Sequence, residues 1–319
     1  MMKRTACLIF NPIAGQGDSE QDLETIKSYL EPEFTLDVQL TTKEISGGEL
    51  ARQAVKDGAE IIIASGGDGT VSAVAEASIA KDVVLGIIAR GTANAFANAL
   101  GIPINIEAAC ENILAGITKK VDAALCNDKP MILLAGVGFE ADTVEDADRE
   151  SKDRLGMLAY VLSGLKQLKE FTQFTAEIET PDKIITVETS AVTIANAAPA
   201  SSVLAQGTAG VIFDDGLLDI TILSPQTAAG AIATSIQLLQ SAANDETLER
   251  QGVGYLRSEW VKVTTDPPQK VVLDGEIIGT TPIEIKCIPG GLTVFAPSEL
   301  ENQADEQLDN LPGVDVKLK

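Results

Sequence analysis

The feature that most constrains the fold of this chain is the alternation of short apolar runs with helical segments over its first hundred or so residues. Apolar runs that predict strands lie at Thr5–Phe10, Phe34–Leu40, Glu60–Ser65 and Val83–Ile88. Helical patterns lie at Ser19–Leu30, with Ser19 as the expected N-cap, and at Ser46–Lys56, Val71–Ala80 and Ala93–Leu100. Strands separated by helices are typical of parallel βαβ units, so this part is predicted to be an α/β domain.

The pattern changes beyond about Leu125, where short strands with alternating polarity dominate. These strands are expected at Met131–Ala135, Thr175–Glu179, Ile184–Glu188, Val192–Ala195, Leu218–Leu223, Trp260–Thr264, Val271–Leu273, Ile283–Ile288 and Leu292–Phe295, with helices near Leu155–Phe171 and Thr227–Ala243. We therefore predict a three-layer α/β nucleotide-binding domain over residues 1–125 and a β-sandwich domain over residues 126–297. The last strand of the second domain could pack back on the first, and residues 298–319 are expected to form a mobile acidic tail.

The composition excludes several classes of function. The 319 residues carry 24 basic and 47 acidic side chains and no histidine, which gives a net charge of −23. A nucleic-acid partner is not expected, because a phosphate backbone requires a basic surface. Without histidine there is no Ser/His/Asp triad, and a general base must be a carboxylate, lysine, tyrosine or cysteine.

The cysteines and the hydropathy pattern bear on localisation. The four cysteines are far apart in the sequence, which favours a reducing compartment. Neither a signal peptide nor an apolar run long enough to cross a membrane is predicted. The sequence therefore predicts a cytoplasmic protein.

The sharpest local motif is Gly66-Gly67-Asp68-Gly69-Thr70, which follows a predicted buried strand and precedes a helix. Glycines at such a position let backbone N–H groups approach phosphate oxygens, and the helix N-terminus adds partial positive charge. The Asp68 carboxylate can hold Mg²⁺ directly or through water. The alternative is a tight strand-to-helix turn in which the glycines are needed only sterically.

Two further glycine-containing loops follow neighbouring strands, at Asn11–Gly17 and at Ala89–Asn94. Ligands of open parallel sheets bind outside the carboxyl ends of the strands, so the three loops together predict a nucleotide pocket. The stretch Gly136–Ala141 also fits a dinucleotide fingerprint, but no apolar helix follows it, and its glycines are interpreted as structural.

The motifs Asn-Pro-x-x-Gly, Gly-Gly-Asp-Gly-Thr and Gly-Thr-x-Asn-x-Phe-Ala, in this order, resemble the diacylglycerol kinase catalytic domain family, which includes bacterial lipid kinases and sphingosine kinases. The resemblance continues through Gly136–Tyr160, Asp215–Asp219 and Asp274–Glu276, so that it covers roughly residues 3 to 297. It implies ATP-dependent phosphoryl transfer to a lipid hydroxyl, with ATP and Mg²⁺ as cofactors. The fold that it implies is an NAD kinase/diacylglycerol kinase-like α/β domain followed by a β-sandwich.

By motif match, the resemblance assigns roles to individual residues. Glu276 would be the proton acceptor. From the residues of the loops themselves, Asp68 is expected to organise Mg²⁺ and Arg90 to offset phosphate charge. The Ile212 and Leu217 carbonyls with the Asp215 carboxylate would form a second Mg²⁺ site, for which an ordinary hairpin turn is the alternative. The predicted nucleotide-binding residues are Asn11, Gly15, Thr41, Gly66, Gly67, Asp68, Gly69, Thr70, Arg90, Gly91, Thr92 and Asn94.

The sequence departs from the family pattern at two places in these motifs. Ser72 and Ala73 stand where Asn-Glu is frequent, and Ala95 stands where Asp is frequent, which removes one metal or water ligand. A catalytically weakened nucleotide- or lipid-binding regulator is therefore one alternative. An NAD kinase-like or phosphofructokinase-like enzyme is another, although the further motifs of NAD kinases are absent.

The sequence allows several lipid substrates and more than one oligomeric state. Diacylglycerol, a sphingoid base and phosphatidylglycerol all remain open as substrates, and a homodimer is allowed. A leucine stripe at helical spacing begins at Leu155, and basic residues flank it. This stripe fits either a membrane-facing helix or, more often, a core helix. The flanking residues are Lys152, Arg154, Lys166 and Lys169.

Overall fold

The structure, a computed structural model, describes residues 3–15, 17–138, 173–199, 202, 205, 211–224, 252–297 and 312–318. The chain divides into two compact units. The first comprises Met1–Ala123 and Pro289–Leu300, and the second comprises Ala124–Ile288 and Glu301–Lys319. The helices expected near Leu155 and Thr227 lie outside the described residues.

The first unit is a parallel sheet with helices between its strands. Its elements are β1 (Arg4–Phe10), α1 (Ser19–Leu30), β2 (Phe34–Leu40), α2 (Gly47–Lys56), β3 (Ile61–Gly66), α3 (Asp68–Ser78), β4 (Val84–Ala89), α4 (Ala95–Ala99) and α5 (Ile106–Ala115). The strand order is β4-β3-β1-β2, and all three pairings are parallel. The predicted α/β domain is thus observed; α5 was not predicted.

The helices cover both faces of this sheet, which gives three layers. One core joins Leu8 and Phe10 of β1 to Ile26 of α1 and Ile113 of α5. On the opposite face, α2 and α3 pack against each other and against the sheet. The sheet is therefore buried on both sides, as its continuous apolar runs require.

The observed helix starts correct two sequence predictions. Helix α1 is capped by Asp18, whose carboxylate accepts hydrogen bonds from the backbone of Glu20 and Gln21, so Ser19 is its first helical residue rather than its N-cap. Helix α3 begins at Asp68 instead of Val71 because Gly67 is its N-cap. The glycine motif is thereby part of the first helical turn.

The second unit consists of strands in the described ranges. Its elements are β5 (Thr118–Cys126, which begins in the first unit), β6 (Lys129–Met131), β7 (Leu134–Gly138), β8 (Phe174–Glu179), β9 (Lys183–Thr189), β10 (Ala191–Ala195), β11 (Leu218–Leu223), β12 (Val253–Ser258), β13 (Trp260–Asp266), β14 (Lys270–Leu273), β15 (Glu276–Thr280), β16 (Ile283–Phe295) and β17 (Asp315–Leu318). One antiparallel sheet has the order β12-β11-β10-β7-β14-β15. In the other sheet, β17, β9, β8, β13 and the first part of β16 are neighbours.

A single apolar core lies between these two sheets. Val137, Ile194 and Ile220 from the first sheet pack with Ile178 and Ile285 from the second, and these five side chains are fully buried. Two sheets that share a core form a β-sandwich, as the sequence predicted. Gly136 and Gly138 lie within β7 of this sandwich, so the dinucleotide-like glycines belong to an antiparallel sheet.

The structure corrects three further sequence predictions, which concern a strand, a turn and the C-terminal tail. The run Met131–Ala135 is split between β6 and β7, because the intervening backbone N–H groups bind a carboxylate instead of a strand. The predicted turn at Pro289–Gly291 lies inside one continuous strand, β16, whose last part belongs to the first unit and pairs there with β4. Within the predicted mobile tail, β17 pairs with β9, so those residues are fixed by a ladder of hydrogen bonds.

No helix among the described residues is long and apolar enough to cross a membrane.

Candidate functional site

Three loops of the first unit leave the carboxyl ends of neighbouring parallel strands. They follow β1, β3 and β4. From β1 the chain proceeds to β2 on one side and, after α2, to β3 on the other, so β1 and β3 flank the topological switch point of the sheet. Open α/β sheets bind ligands at such a point, and two of the three glycine loops lie directly beside it.

The first loop is joined to the second across the switch point. The Asn11 side chain donates to Thr70 Oγ1 at 2.9 Å, and the Asn11 N–H donates to the Ser65 carbonyl at 2.8 Å. Gly66 is required sterically, because a Cβ at this position would lie 2.7 Å from Thr70 Cβ. Asn11, Gly66 and Thr70 are thus brought together at the switch point.

The Asp68 carboxylate joins the second loop to the third. Its two oxygens accept hydrogen bonds from the backbone N–H groups of Asn94 at 3.0 Å and Ala95 at 2.6 Å. The Asn94 side chain in turn accepts from the Gly91 N–H at 2.7 Å, and Asn94 itself adopts the left-handed conformation, with φ 49°. Gly67 and Gly91 approach closely, since a Cβ on Gly91 would lie 2.9 Å from the Gly67 Cα. Asp68 acts as an N-terminal cap for α4, which sequence reasoning did not foresee.

The Arg90 side chain binds the first loop and α1. Its Nε donates to Asp22 at 2.9 Å, Nη1 to the Asn11 carbonyl at 3.0 Å and Nη2 to the Ala14 carbonyl at 2.8 Å. The guanidinium also lies 4.2 Å from the centre of the Phe10 ring, and the side chain is 2% exposed. The charge of Arg90 is thus met by Asp22 and its side chain orders the first loop, while its predicted role in offsetting phosphate charge stays a prediction.

The N-terminus of α3 is open to a ligand. Gly67, its N-cap, has no side chain to accept a hydrogen bond from the first helical turn, and a Cβ on Gly69 would meet nothing within 4 Å. Free backbone N–H groups and the helix dipole favour an anion here. Thr41 lies at the same edge, since its N–H donates to the Phe10 carbonyl.

The remaining predicted nucleotide-binding residues also lie in this unit. Gly15 is in the first loop with φ 95°, a conformation that favours glycine, and Thr92 is exposed in the third loop. The predicted nucleotide-binding set is therefore confined to the three loops, the start of α3 and the residue after β2.

Glu276 belongs to the second unit, at a two-residue turn between β14 and β15. Asp274 and Gly275 both have positive φ, 47° and 90°, as a tight hairpin requires. Glu276 is exposed, and in the part of the chain that the structure describes its carboxylate makes no hydrogen bond or ion pair. Its side chain is therefore free to accept a proton from a ligand.

Asp274 does not face water. Its carboxylate accepts three backbone N–H groups, from Ile132 at 2.8 Å, Leu133 at 3.0 Å and Leu134 at 2.9 Å. Burial raises the pKa of Asp274 to about 6, although the three donors act in the opposite direction. Asp274 thus holds the turn that presents Glu276, a role that the sequence did not reveal.

The turn that contains Ile212, Asp215 and Leu217 lies beside β11 and β12. Asp215 accepts a hydrogen bond from the Leu217 N–H at 3.1 Å and forms an ion pair with Arg257. Asp219 is fully buried and accepts from the Ile212 N–H at 3.3 Å. Burial raises the pKa of Asp219 to about 6, an effect that the nearby Arg257 opposes.

No three acidic or cysteine side chains among the described residues are grouped so that they could hold a metal ion. All four cysteines are buried, and burial raises the pKa of the thiols of Cys7, Cys110 and Cys126 to about 11 or 12. Mg²⁺ that is already bound to a nucleotide needs only one or two protein carboxylates, because the phosphates supply its other ligands. Asp68 suits that smaller role, since each of its oxygens retains a lone pair.

Comparison with known protein families divides the chain in two. Residues 5–126 match the diacylglycerol kinase catalytic domain, and residues 134–296 match the YegS C-terminal NAD kinase beta sandwich-like domain. The first match contains the three glycine loops and Asp68. The second contains Glu276 and the turn at Asp215.

Three curated relatives span most of the chain. An uncharacterized protein of Synechocystis is 52% identical over 93% of this chain and 71% of its own length. A protein named diacylglycerol kinase, from Bacillus subtilis, is 29% identical over 96% of this chain and its full length. A Stenotrophomonas maltophilia protein named "Probable lipid kinase YegS-like" is 30% identical over 82% of this chain and 87% of its own.

Solved structures share the fold. The crystal structure of a diacylglycerol kinase from Bacillus anthracis superposes with a TM-score of 0.70 at 22% identity and covers 93% of this chain and 98% of that one. A second crystal structure from the same organism gives a TM-score of 0.77 at 24% identity, with the same coverage. Both confirm the predicted pair of an α/β unit and a β-sandwich.

Proposed function

Because this chain belongs to the diacylglycerol kinase family, with its catalytic domain followed by the YegS-type β-sandwich, we propose that it transfers the γ-phosphoryl group of ATP to the hydroxyl of a lipid such as diacylglycerol. The observation that carries the proposal is the joining of the three glycine loops around the open N-terminus of α3. Relatives named as diacylglycerol and lipid kinases support the choice of acceptor.

The nucleotide phosphates would lie at the first turn of α3. Backbone N–H groups at Gly67–Gly69 would bind phosphate oxygens, and Asp68 would contact Mg²⁺ that arrives with ATP, directly or through water. When bound, Mg²⁺ neutralises charge on the phosphates. Arg90 and Asn11 would keep the loops in place, because phosphoryl transfer depends mainly on positioning.

Glu276 would accept the proton of the lipid hydroxyl. Its carboxylate is exposed and has no internal partner in the described residues, and no histidine exists in the chain to take this role. A carboxylate held within hydrogen-bond reach of a hydroxyl can act as a general base. Asp274 would act as a positioning residue, since it fixes the turn through three backbone N–H groups.

The departures at Ser72 and Ala95 support a second candidate, a nucleotide- and lipid-binding regulator with little activity. The contact at position 95 favours the enzyme, because Asp68 binds the Ala95 backbone N–H and needs no side chain there. The other alternative is a kinase that phosphorylates a different acceptor, as NAD kinases or phosphofructokinases do.

We further propose that the protein works in the cytoplasm and reaches its lipid by peripheral contact with a membrane surface, without a nucleic-acid partner. A homodimer is compatible with this proposal. The basic residues of the leucine-rich segment that would contact the membrane lie outside the described residues, as does the leucine stripe itself.

ATP turnover with different acceptors tests the proposal. ATP consumption is measured with Mg²⁺ alone and then with diacylglycerol or sphingoid-base vesicles, NAD or fructose 6-phosphate. We expect lipid vesicles alone to stimulate turnover. Stimulation by NAD or the sugar phosphate would replace the lipid with that acceptor, and ATP binding without turnover under any condition would support the regulator.

A further inference from the structure

A charged cluster in the second unit occupies the turn for which a second Mg²⁺ site was predicted. Asp219 of β11 lies directly opposite Arg257 of β12 in the antiparallel register. Tyr255 precedes Arg257 by two residues, so both side chains project from the same face of β12. Asp215 lies in the turn that leads into β11 and meets the same guanidinium.

Each oxygen of the predicted metal ligand, Asp215, already accepts from one protein donor, and one of these donors, unlike the backbone donors to Asp68, is a cation. Oδ1 accepts the Leu217 N–H at 3.1 Å, and Oδ2 accepts Nη2 of Arg257. The neighbouring carboxylate of Asp219 is fully buried and also accepts hydrogen bonds.

The Asp219 carboxylate has three donors around it. The Tyr255 hydroxyl donates to Oδ1, and Arg257 Nε lies 3.2 Å from the same oxygen, within ion-pair distance but without hydrogen-bond geometry. The Ile212 N–H donates to Oδ2 at 3.3 Å. Each carboxylate oxygen of Asp215 and Asp219 therefore faces a protein donor.

A guanidinium at this place disfavours a metal ion. Arginine keeps its charge throughout the physiological pH range, and the Arg257 side chain is only 13% exposed. A divalent cation at Asp215 would lie beside this charge with little water to screen the repulsion. The residues of the turn therefore do not fit the Mg²⁺ site that the family resemblance implies.

We propose that Arg257 takes the place of a divalent cation at the 212–219 turn, so that the turn is held by the protein's own positive charge and binds no Mg²⁺. This inference concerns the second unit alone and does not depend on nucleotide or lipid chemistry. Its test therefore uses no nucleotide, and a failure of the proposed kinase activity would leave it unaffected.

Mn²⁺ binding is the first test, with Mn²⁺ as the probe and electron paramagnetic resonance as the readout. Wild type and Asp215→Asn are titrated in moderate salt, where weak binding to the acidic surface is common to both. We expect the same number of sites and the same affinity in the two proteins. A Mn²⁺ site that the wild type has and Asp215→Asn lacks would overturn the inference.

Thermal unfolding of Arg257 variants is the second test. Removing one member of a largely buried ion pair leaves the other charge unpaired, so Arg257→Met is expected to lower the melting temperature by about 10 °C. Arg257→Lys, which keeps the charge, is expected to lose less. Millimolar Mg²⁺ should restore part of the loss in Arg257→Met, and adding Asp215→Asn to that variant should abolish the restoration.

Two results of this second test would contradict the proposal that Arg257 takes the place of a divalent cation. One is equal stability of wild type and Arg257→Met, and the other is a Met variant whose melting temperature Mg²⁺ leaves unchanged. Should Arg257→Met fail to fold, the Mn²⁺ titrations of wild type and Asp215→Asn decide the matter by themselves.

Discussion

The replacement of Asp68 by asparagine tests the joining of the three glycine loops most sharply. Asparagine has nearly the same shape, but it offers one acceptor oxygen where the carboxylate now binds two backbone N–H groups, at 3.0 Å and 2.6 Å. The amide NH₂ would face the other N–H group. The variant therefore loses one hydrogen bond to a charged acceptor, worth about 1.5–3 kcal/mol.

A second loss adds to the first. The carboxylate also lies at the N-terminus of α4, where a negative charge contributes roughly 0.3–1 kcal/mol. The ordered conformation of the third loop is thus destabilised by about 2–4 kcal/mol in total. If ATP binds only the ordered loop, its apparent affinity falls by at most roughly 30-fold to 10³-fold, and loss of the contact to Mg²⁺ lowers turnover further.

The assay separates binding from chemistry and from stability. ATP affinity is measured by calorimetric titration, and turnover is measured at saturating ATP and Mg²⁺. Asn105→Ala is the matched control, because it removes the cap of α5, a 3.0 Å hydrogen bond to the Ala108 N–H, and touches none of the three loops. The control should lose about 1 kcal/mol of stability and keep its ATP affinity.

The reasoning would be refuted by an Asp68→Asn protein that binds ATP as tightly as wild type and keeps more than about a tenth of its turnover. A loss of affinity in Asn105→Ala equal to that of Asp68→Asn would also refute it. That result would trace the effect to general stability instead of the loop contact.

Three further predictions concern single residues. Gly91→Ala places a Cβ 2.9 Å from the opposite loop, so ATP affinity should fall at least tenfold or so, whereas Gly17→Ala, whose Cβ meets nothing within 4 Å, should bind normally by the same titration. Burial raises the pKa of Asp274, so its carboxyl group stays protonated in the folded chain up to about pH 6. The contribution of this group to the free energy of unfolding is therefore full below about pH 4 and is lost as the pH rises through 6. Urea unfolding between pH 4 and 7 should show a slope of up to about 1.4 kcal/mol per pH unit from this group that is missing in Asp274→Asn, and equal slopes would contradict the assignment. Glu276→Gln should lower lipid phosphorylation by roughly 10²-fold with ATP affinity unchanged, whereas Glu259→Gln, an exposed control in the same unit, should do neither; near-normal turnover in Glu276→Gln would remove it as the base.

The sequence was sufficient for the features that depend on neighbouring residues. The β1, β3 and β4 strands are apolar runs, and the glycine loops that follow them are visible as motifs, so the sequence could predict that these loops meet at one edge of the sheet. The start of α3 was placed three residues late, because glycine and aspartate disfavour helix interiors but are well suited to a first turn.

Contacts between distant parts of the chain could not be predicted. Arg90 meets Asp22 across 68 residues, and Asp274 meets Ile132 across 142 residues. From the sequence alone, a polar residue of this kind fits a ligand-binding role as well as a contact with a distant part of the chain. For this reason the sequence predicts a phosphate contact for Arg90. The spacing of Tyr255 and Arg257 places them on one face of a strand, but only the pairing of β11 with β12 brings them to Asp219.

The central claim is that the γ-phosphoryl group of ATP ends on a lipid, and labelling of the lipid tests it most directly. Wild-type protein is incubated with [γ-³²P]ATP, Mg²⁺ and vesicles that contain diacylglycerol, and the organic extract is resolved by thin-layer chromatography with Asp68→Asn as the control. The account predicts a labelled phospholipid that depends on both wild-type protein and vesicles. Label that stays entirely in the aqueous phase across the lipid classes, from a protein that binds ATP, would contradict it.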